Sequence, residues 1–342
     1  MGLGLGTLFT LYGLAYIFST SYLVDGHRVF SLFDDAMISM RYARNLAETG
    51  QLVWNHTAER VEGFTNPGWV LMMALLHFLP LKPEIMSLPI QLFGLLLMLA
   101  TARVTFLMTK LIYPEGRNAA WLSTSLVLGS ISLINWSLQG MEVGILTFFT
   151  SFACYLGLSG SQRNYWWGVA IVCAGVTVRI DFALMAFIFI GLKYFTAKDA
   201  RIPALQGAVF VILALVLQTA ARWAYFGDLL PNTYYLKMTG FPLHLRLWHG
   251  EKMFIEWIRA VRAPLFFLPF LAMFPFKKNR LWILTPFGEP HATQRNDHRK
   301  KGRQRQQKPP GYTHHDFGSP FDYGLSKHNG LVFISSYCVT TI

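Results

Sequence analysis

The feature that most constrains this chain is a series of apolar blocks, each hydrophobic on every face of a helix, joined by short polar connections. They occupy residues 2–24, 67–81, 88–108, 119–138, 143–158, 165–178, 182–192, 203–221 and 264–276. A surface helix carries one apolar stripe, whereas a helix apolar all round is buried in a large core or in lipid. A lipid span needs about 20 such residues. The chain is 53% hydrophobic and only 14% charged, against about 25% charged in an ordinary soluble domain. The expected fold is therefore all-α: a polytopic membrane helix bundle over residues 1–284, followed by a basic, disordered tail over 285–342. No basic residue precedes the first block, and its apolar run is long for a secretory leader, so it is read as an uncleaved span. Cys154, Cys173 and Cys338 form neither a disulfide framework nor a zinc pattern.

A formal charge of +12 invites a nucleic-acid reading, but its distribution argues for none. The Lys and Arg residues sit in the connections and in one late cluster between Arg295 and Lys308. In a membrane protein, basic connections report orientation, because they stay on the cytoplasmic side. The late cluster is read as a solvated tail.

Two blocks separate Glu142 from Arg179, and two more separate Asp181 from Pro231. If every block crosses, these sites share one face of the membrane. The intervening connections carry Arg163, then Lys193, Lys198 and Arg201, then Lys277, Lys278 and Arg280, which makes theirs the cytoplasmic face and puts the sites outside. Blocks 165–178 and 182–192 are short; a 14-residue helix is about 21 Å long against a hydrocarbon core of about 30 Å. Arg179 and Asp181 are thus expected below the headgroups, paired with each other or facing a ligand. The first connection, 25–66, holds six acids against four arginines and suits the outside. Three blocks part it from Glu142, however, so one of them should not cross, and the short block 67–81 is the candidate to lie in the interface or re-enter.

The strongest local signal follows the first span. Asp34 and Asp35 open an amphipathic helix with Ile38, Tyr42 and Leu46 on one stripe. Acids at a helix start are also favoured by the macrodipole alone. Beyond it lie Trp54, Glu62-Gly63-Phe64 and Asn66-Pro67, an aromatic, Gly-rich loop suited to sugars or lipid headgroups.

The stretch from Asp34 to Trp69, followed in order by Gly140-Met141-Glu142, Arg179-Ile180-Asp181 and Pro231-Asn232-Thr233-Tyr234-Tyr235-Leu236-Lys237, resembles a family of GT-C membrane glycosyltransferases that includes the terminal β-(1→2) arabinofuranosyltransferase of mycobacterial cell-wall assembly. The resemblance covers roughly residues 1–280. It implies a polyprenyl-phosphate sugar donor, an envelope glycan or lipid acceptor, and a catalytic acid in the first outer loop of a multi-pass protein of the cytoplasmic membrane. The sugar it implies by precedent is arabinofuranose.

Such a reaction needs a carboxylate to take the acceptor hydroxyl proton, negative charge near an oxocarbenium-like transition state, and cations for the leaving phosphate. Asp34 or Asp35 is the expected base, Asp34 being preferred. Asp35 is expected to orient Arg41 or, with Asp34, to hold a divalent cation; no other cofactor is implied. Arg179 and Lys237 are candidates for the donor phosphate, with Arg41, Asp181 and Asn232 also at the substrate. Tyr234 and Tyr235 are placed near the sugar or prenyl chain, and Glu142 at sugar hydroxyls. Plainer roles stand beside each: a helix-start acid for Glu142, a snorkelling lysine for Lys237, an aromatic belt for the tyrosines.

Family members are longer, and here the apolar pattern stops near Phe276, with a His-, Gln-, Arg- and Pro-rich segment after Gly288. The chain is therefore also readable as a truncated, inactive remnant, its tail a frame-shifted or fused sequence. A transporter or lipid flippase is the other alternative, since that class also buries charge; transporters commonly carry internal repeats, and the two halves here show none.

Overall fold

A computed structural model of the chain describes residues 3–55, 60–196, 198–238, 240 and 242–260. The block at 264–276 and the basic tail lie outside the described residues. What is described is mostly helix. Helix α1 (Leu3–Ser19) runs into a two-stranded hairpin, β1 (Tyr22–Val24) and β2 (His27–Val29), turned by Asp25 and Gly26 with positive φ. Then come α2 (Asp34–Thr49), the short α3 (Pro67–Leu76), and α4 (Leu88–Ile112), preceded by a 3-10 turn at Pro83–Ile85. Helices α5 (Arg117–Leu128) and α6 (Ile131–Leu138) follow, bent by 53° at the Gly129-Ser130 break. The remainder is α7 (Val143–Leu158), α8 (Gln162–Val178), α9 (Ala183–Thr196), α10 (Arg201–Phe226), α11 (Asn232–Met238) and α12 (Leu243–Ala260).

Two helical stretches, Pro83–Ile112 and Arg201–Phe226, are long and apolar enough to cross a membrane, and the bent α5–α6 pair makes a third if it counts as one span. The remaining apolar blocks among the described residues form shorter helices, and block 67–81 gives only the ten residues of α3.

Helix α4 is the axis, packing along α5 and α7, while α8, α9 and α10 continue from α7 as a second group. Close approach rests on small residues. A Cβ on Gly94 of α4 would fall on the Ser137 carbonyl at the end of α6, and one on Gly68 of α3 would meet the Thr177 carbonyl of α8 at 2.7 Å. In lipid, where apolar surface gains little from leaving the solvent, such backbone proximity is a main source of helix association.

The connections around Phe33, Asn66 and Gln139 to Glu142 meet at one end of the bundle. The Phe33 N–H donates to the Gln139 carbonyl at 2.9 Å, so α2 starts against the 139–142 break. The Trp69 indole donates to the Gly140 carbonyl at 2.9 Å. Gly140 holds φ +83°, and a Cβ there would strike Leu32; a left-handed turn without a side chain lets the two loops touch.

Candidate functional site

Two polar assemblies share this end of the bundle. The first is a buried clamp. Glu142 precedes α7 and its side chain is 1% exposed. One carboxylate oxygen accepts from Arg179 Nη1 at 2.6 Å, the other from Asn66 Nδ2 at 2.9 Å. Asn66 in turn accepts from the Ser39 hydroxyl at 2.9 Å, one turn into α2. Arg179, at the end of α8, forks onto Asp181 through Nε (2.9 Å) and Nη2 (2.9 Å). Asp181 remains 63% exposed. Arg179 leaves α8 with an extended backbone (φ −150°, ψ 126°) just before the 3-10 turn Ile180–Phe182 that carries Asp181. The clamp thus ties together α2, the start of α3, the start of α7 and the α8–α9 break.

Beside it, Arg222 near the end of α10 donates from Nε to Glu62 at 2.6 Å, with both side chains under 5% exposed. Burial pushes the Glu62 carboxyl up, and Arg222 pulls it only part of the way back. The Asn232 N–H donates to the Glu62 carbonyl at 3.1 Å, and the Leu52 N–H donates to the Tyr225 hydroxyl at 2.8 Å. Tyr42 accepts from the Gly63 N–H and donates to the Val61 carbonyl. The described parts of the connection between α2 and α3 are therefore fastened to α10 and to the start of α11.

The second assembly is a cavity of about 830 Å³ along α2. Asp34, Arg41, Arg44 and Glu48 supply its charge, His77, Ser31 and Ser87 further polar groups, and Met37, Met86, Leu79 and Leu81 part of its apolar wall. Asp34 is exposed, and its Oδ1 accepts from the Asp35 N–H at 2.8 Å. Arg41 is held flat over the Trp54 ring at 4.4 Å, with Nε on the Trp54 carbonyl (3.0 Å) and Nη2 on Asn55 Oδ1 (2.7 Å). Arg44 reaches Glu48 at 2.8 Å across exposed surface.

The expected site residues divide between the two. Asp34 and Arg41 meet in the cavity; Glu142, Arg179 and Asp181 meet in the clamp. Asp35 is exposed, and the expectation that it orients Arg41 is corrected: Trp54 and Asn55 take that guanidinium, because they lie where its α2 position points. Asn232 joins the assembly through its backbone. Tyr234 and Tyr235 stack edge to face at 5.8 Å on α11. Lys237 is on the same helix, and its side chain lies outside the described residues. Among the described residues no three His, Cys, Asp or Glu side chains cluster as a metal site. Ser39, His77 and Arg222 carry no local sequence signal that marks them; Glu62 and Asn66 stand out only as parts of the loop before α3, and their partners Arg222 and Glu142 lie far along the chain.

Comparison with protein-family models, with curated proteins and with solved structures finds no match to this chain.

Proposed function

We propose that this protein is a membrane-embedded glycosyltransferase that moves a sugar from a polyprenyl-phosphate donor to an envelope glycan or lipid acceptor, with Asp34 as the base. One observation carries the reading. An exposed carboxylate, Asp34, shares a cavity of about 830 Å³ with two arginines, Arg41 and Arg44. Small-molecule sites usually measure about 300–1,000 Å³, so a phospho-sugar headgroup fits. Arg41 is oriented in advance by Trp54 and Asn55, so little freedom is lost when it meets a phosphate. Asp34 takes the acceptor hydroxyl proton as that oxygen bonds to the anomeric carbon, and the phosphate departs with the electron pair of the old bond. Its negative charge is met by Arg41 and Arg44. Arg179 is less suited to meeting that charge, because its guanidinium already serves two carboxyl groups.

The arrangement also supports a multi-pass topology in the cytoplasmic membrane. His77, Leu79 and Leu81, just after α3, line the same cavity as Asp34, so α3 returns to the face it left and does not cross. With α1, α4, α5–α6, α7, α8, α9 and α10 as crossings, every polar break at the site falls on one face. The opposite connections carry Lys110, Arg117, Arg163, Lys193, Lys198 and Arg201, which puts the site outside.

The test is transfer by the full chain in proteoliposomes, from a polyprenyl-phosphoryl-arabinofuranose to an oligoarabinoside. Asp34→Asn should lower turnover about 10²–10⁴-fold, the usual range for losing a general base, while Asp35→Asn should retain most activity. Undiminished turnover in Asp34→Asn overturns the mechanism, and lipid flux without glycosidic product overturns the class.

A further inference from the structure

The cavity contains one more group able to carry a proton. His77 ends α3, and its Nδ1 lies 3.0 Å from the Met73 carbonyl. A carbonyl oxygen only accepts, so Nδ1 bears the hydrogen in the neutral ring, and Nε2 is left with the lone pair. Among the described residues Nε2 has no hydrogen-bond partner, and His77 lines the cavity into which Asp34, Arg41 and Arg44 project. The ring is thereby held in one tautomer on the wall of that cavity. That is the geometry of a proton carrier.

We infer that His77 carries the proton from Asp34 to the departing phosphate, closing the proton cycle within one cavity. The inference rests on the glycosyltransferase reading. The donor is a phosphodiester with one negative charge, and breaking the bond from the anomeric carbon to oxygen leaves a phosphate monoester with two. The protonated ring donates its Nε2 hydrogen to that oxygen and returns to the neutral form. Asp34, meanwhile, holds the proton taken from the acceptor hydroxyl. That proton passes to Nε2 and restores both groups. The sum is balanced: the acceptor's proton leaves on the released polyprenyl phosphate, and no charge accumulates in the cavity. The charged groups lining the cavity with His77 are Asp34, Arg41, Arg44 and Glu48 of α2.

The experiment uses the full chain in proteoliposomes with polyprenyl-phosphoryl-arabinofuranose, comparing wild type, Asp34→Asn, His77→Ala and His77→Gln. His77→Ala should lose about 10²-fold or more in kcat, in line with general acid–base groups, with donor KM unchanged. Added imidazole should return a substantial part of the lost rate in His77→Ala, where the ring leaves room, and not in His77→Gln. Near-wild-type kcat in His77→Ala, or a loss that imidazole does not relieve, overturns the role of His77 while Asp34→Asn still reports on the class. A variant that loses the size-exclusion profile of the wild type is read through the other His77 variant. Wild type that transfers no sugar overturns both readings together.

Discussion

The clamp and the cavity lie side by side and are built from the same residue types, yet they use them in opposite ways. In the clamp, Glu142 is buried with both oxygens occupied, and Arg179 is shared between two carboxyl groups. In the cavity, Asp34 is exposed and Arg41 is anchored by neutral groups, so neither cancels the other's charge. Satisfied ionic groups rigidify, because moving any one of them strands its partners in a poor solvent for charge. Unsatisfied groups on a rigid frame are free to meet a ligand. On the proposed reading, the difference makes the clamp architecture and the cavity the place of chemistry, although both looked like sites in the sequence.

The sharpest way to break that division is Arg179→Ala. It leaves Glu142 buried with only Asn66 as partner. Removing one partner of a buried pair typically costs about 3–5 kcal/mol, so thermal unfolding in detergent should shift down strongly. If Arg179→Ala instead keeps wild-type stability and loses only donor affinity, the clamp is a ligand site after all. Asn66→Ala should cost less, about 1–3 kcal/mol, the penalty for leaving buried hydrogen-bonding groups unmet. Its two bonded partners, Ser39 and Glu142, lie in α2 and before α7. The variant should therefore loosen α2 specifically, read as faster amide exchange over 34–40 than over α4. Equal exchange in both helices would show that Asn66 does not connect them.

How much of this the sequence made legible follows from the range of each interaction. The helix opening at Asp34 and the breaks at 139–142 and 179–181 were readable, because a polar interruption of an apolar run is a local signal. The Arg179–Asp181 pair was readable too, being two residues apart. Glu62 and Arg222 were not: their partnership spans 160 positions, and each alone looks like an ordinary loop or helix-end charge. Asn66 was visible only as the residue before a proline. His77 and Arg44 reach the cavity through the return of the chain after α3 and the rotation of α2, neither of which a hydropathy pattern encodes.

The pair of Glu62 and Arg222 gives a pH test of intermediate size. Burial raises the Glu62 carboxyl in the fold despite Arg222, so the native state keeps a proton that the unfolded chain has already released. Between the ordinary Glu value of about 4.3 and the raised one, the unfolded state binds fewer protons, and stability falls as pH rises. Measured in detergent, unfolding midpoints should decline across that window and then level, and the slope should be lost in Glu62→Gln. A rising slope in wild type that Glu62→Gln removes would mean that Arg222 outweighs burial.

The smallest expected effect on stability is the most informative about the cavity. Arg41 is exposed, and its neighbours Trp54 and Asn55 are exposed as well. Arg41→Lys should therefore change stability by no more than about 0.5 kcal/mol, as for most surface substitutions. A lysine keeps the charge but loses the planar fork, so it cannot hold the Trp54 carbonyl and Asn55 at once while presenting further N–H groups to a phosphate. Donor KM should rise while Asp34-dependent turnover at saturation is retained. That pattern is the reverse of Arg179→Ala, and it follows from one physical distinction: Arg41 is steadied by neutral acceptors, whereas Arg179 is neutralised by carboxyl groups. Should Arg41→Lys leave KM untouched, the cation that meets the phosphate must be Arg44 alone, and the cavity would read the headgroup by charge rather than by geometry.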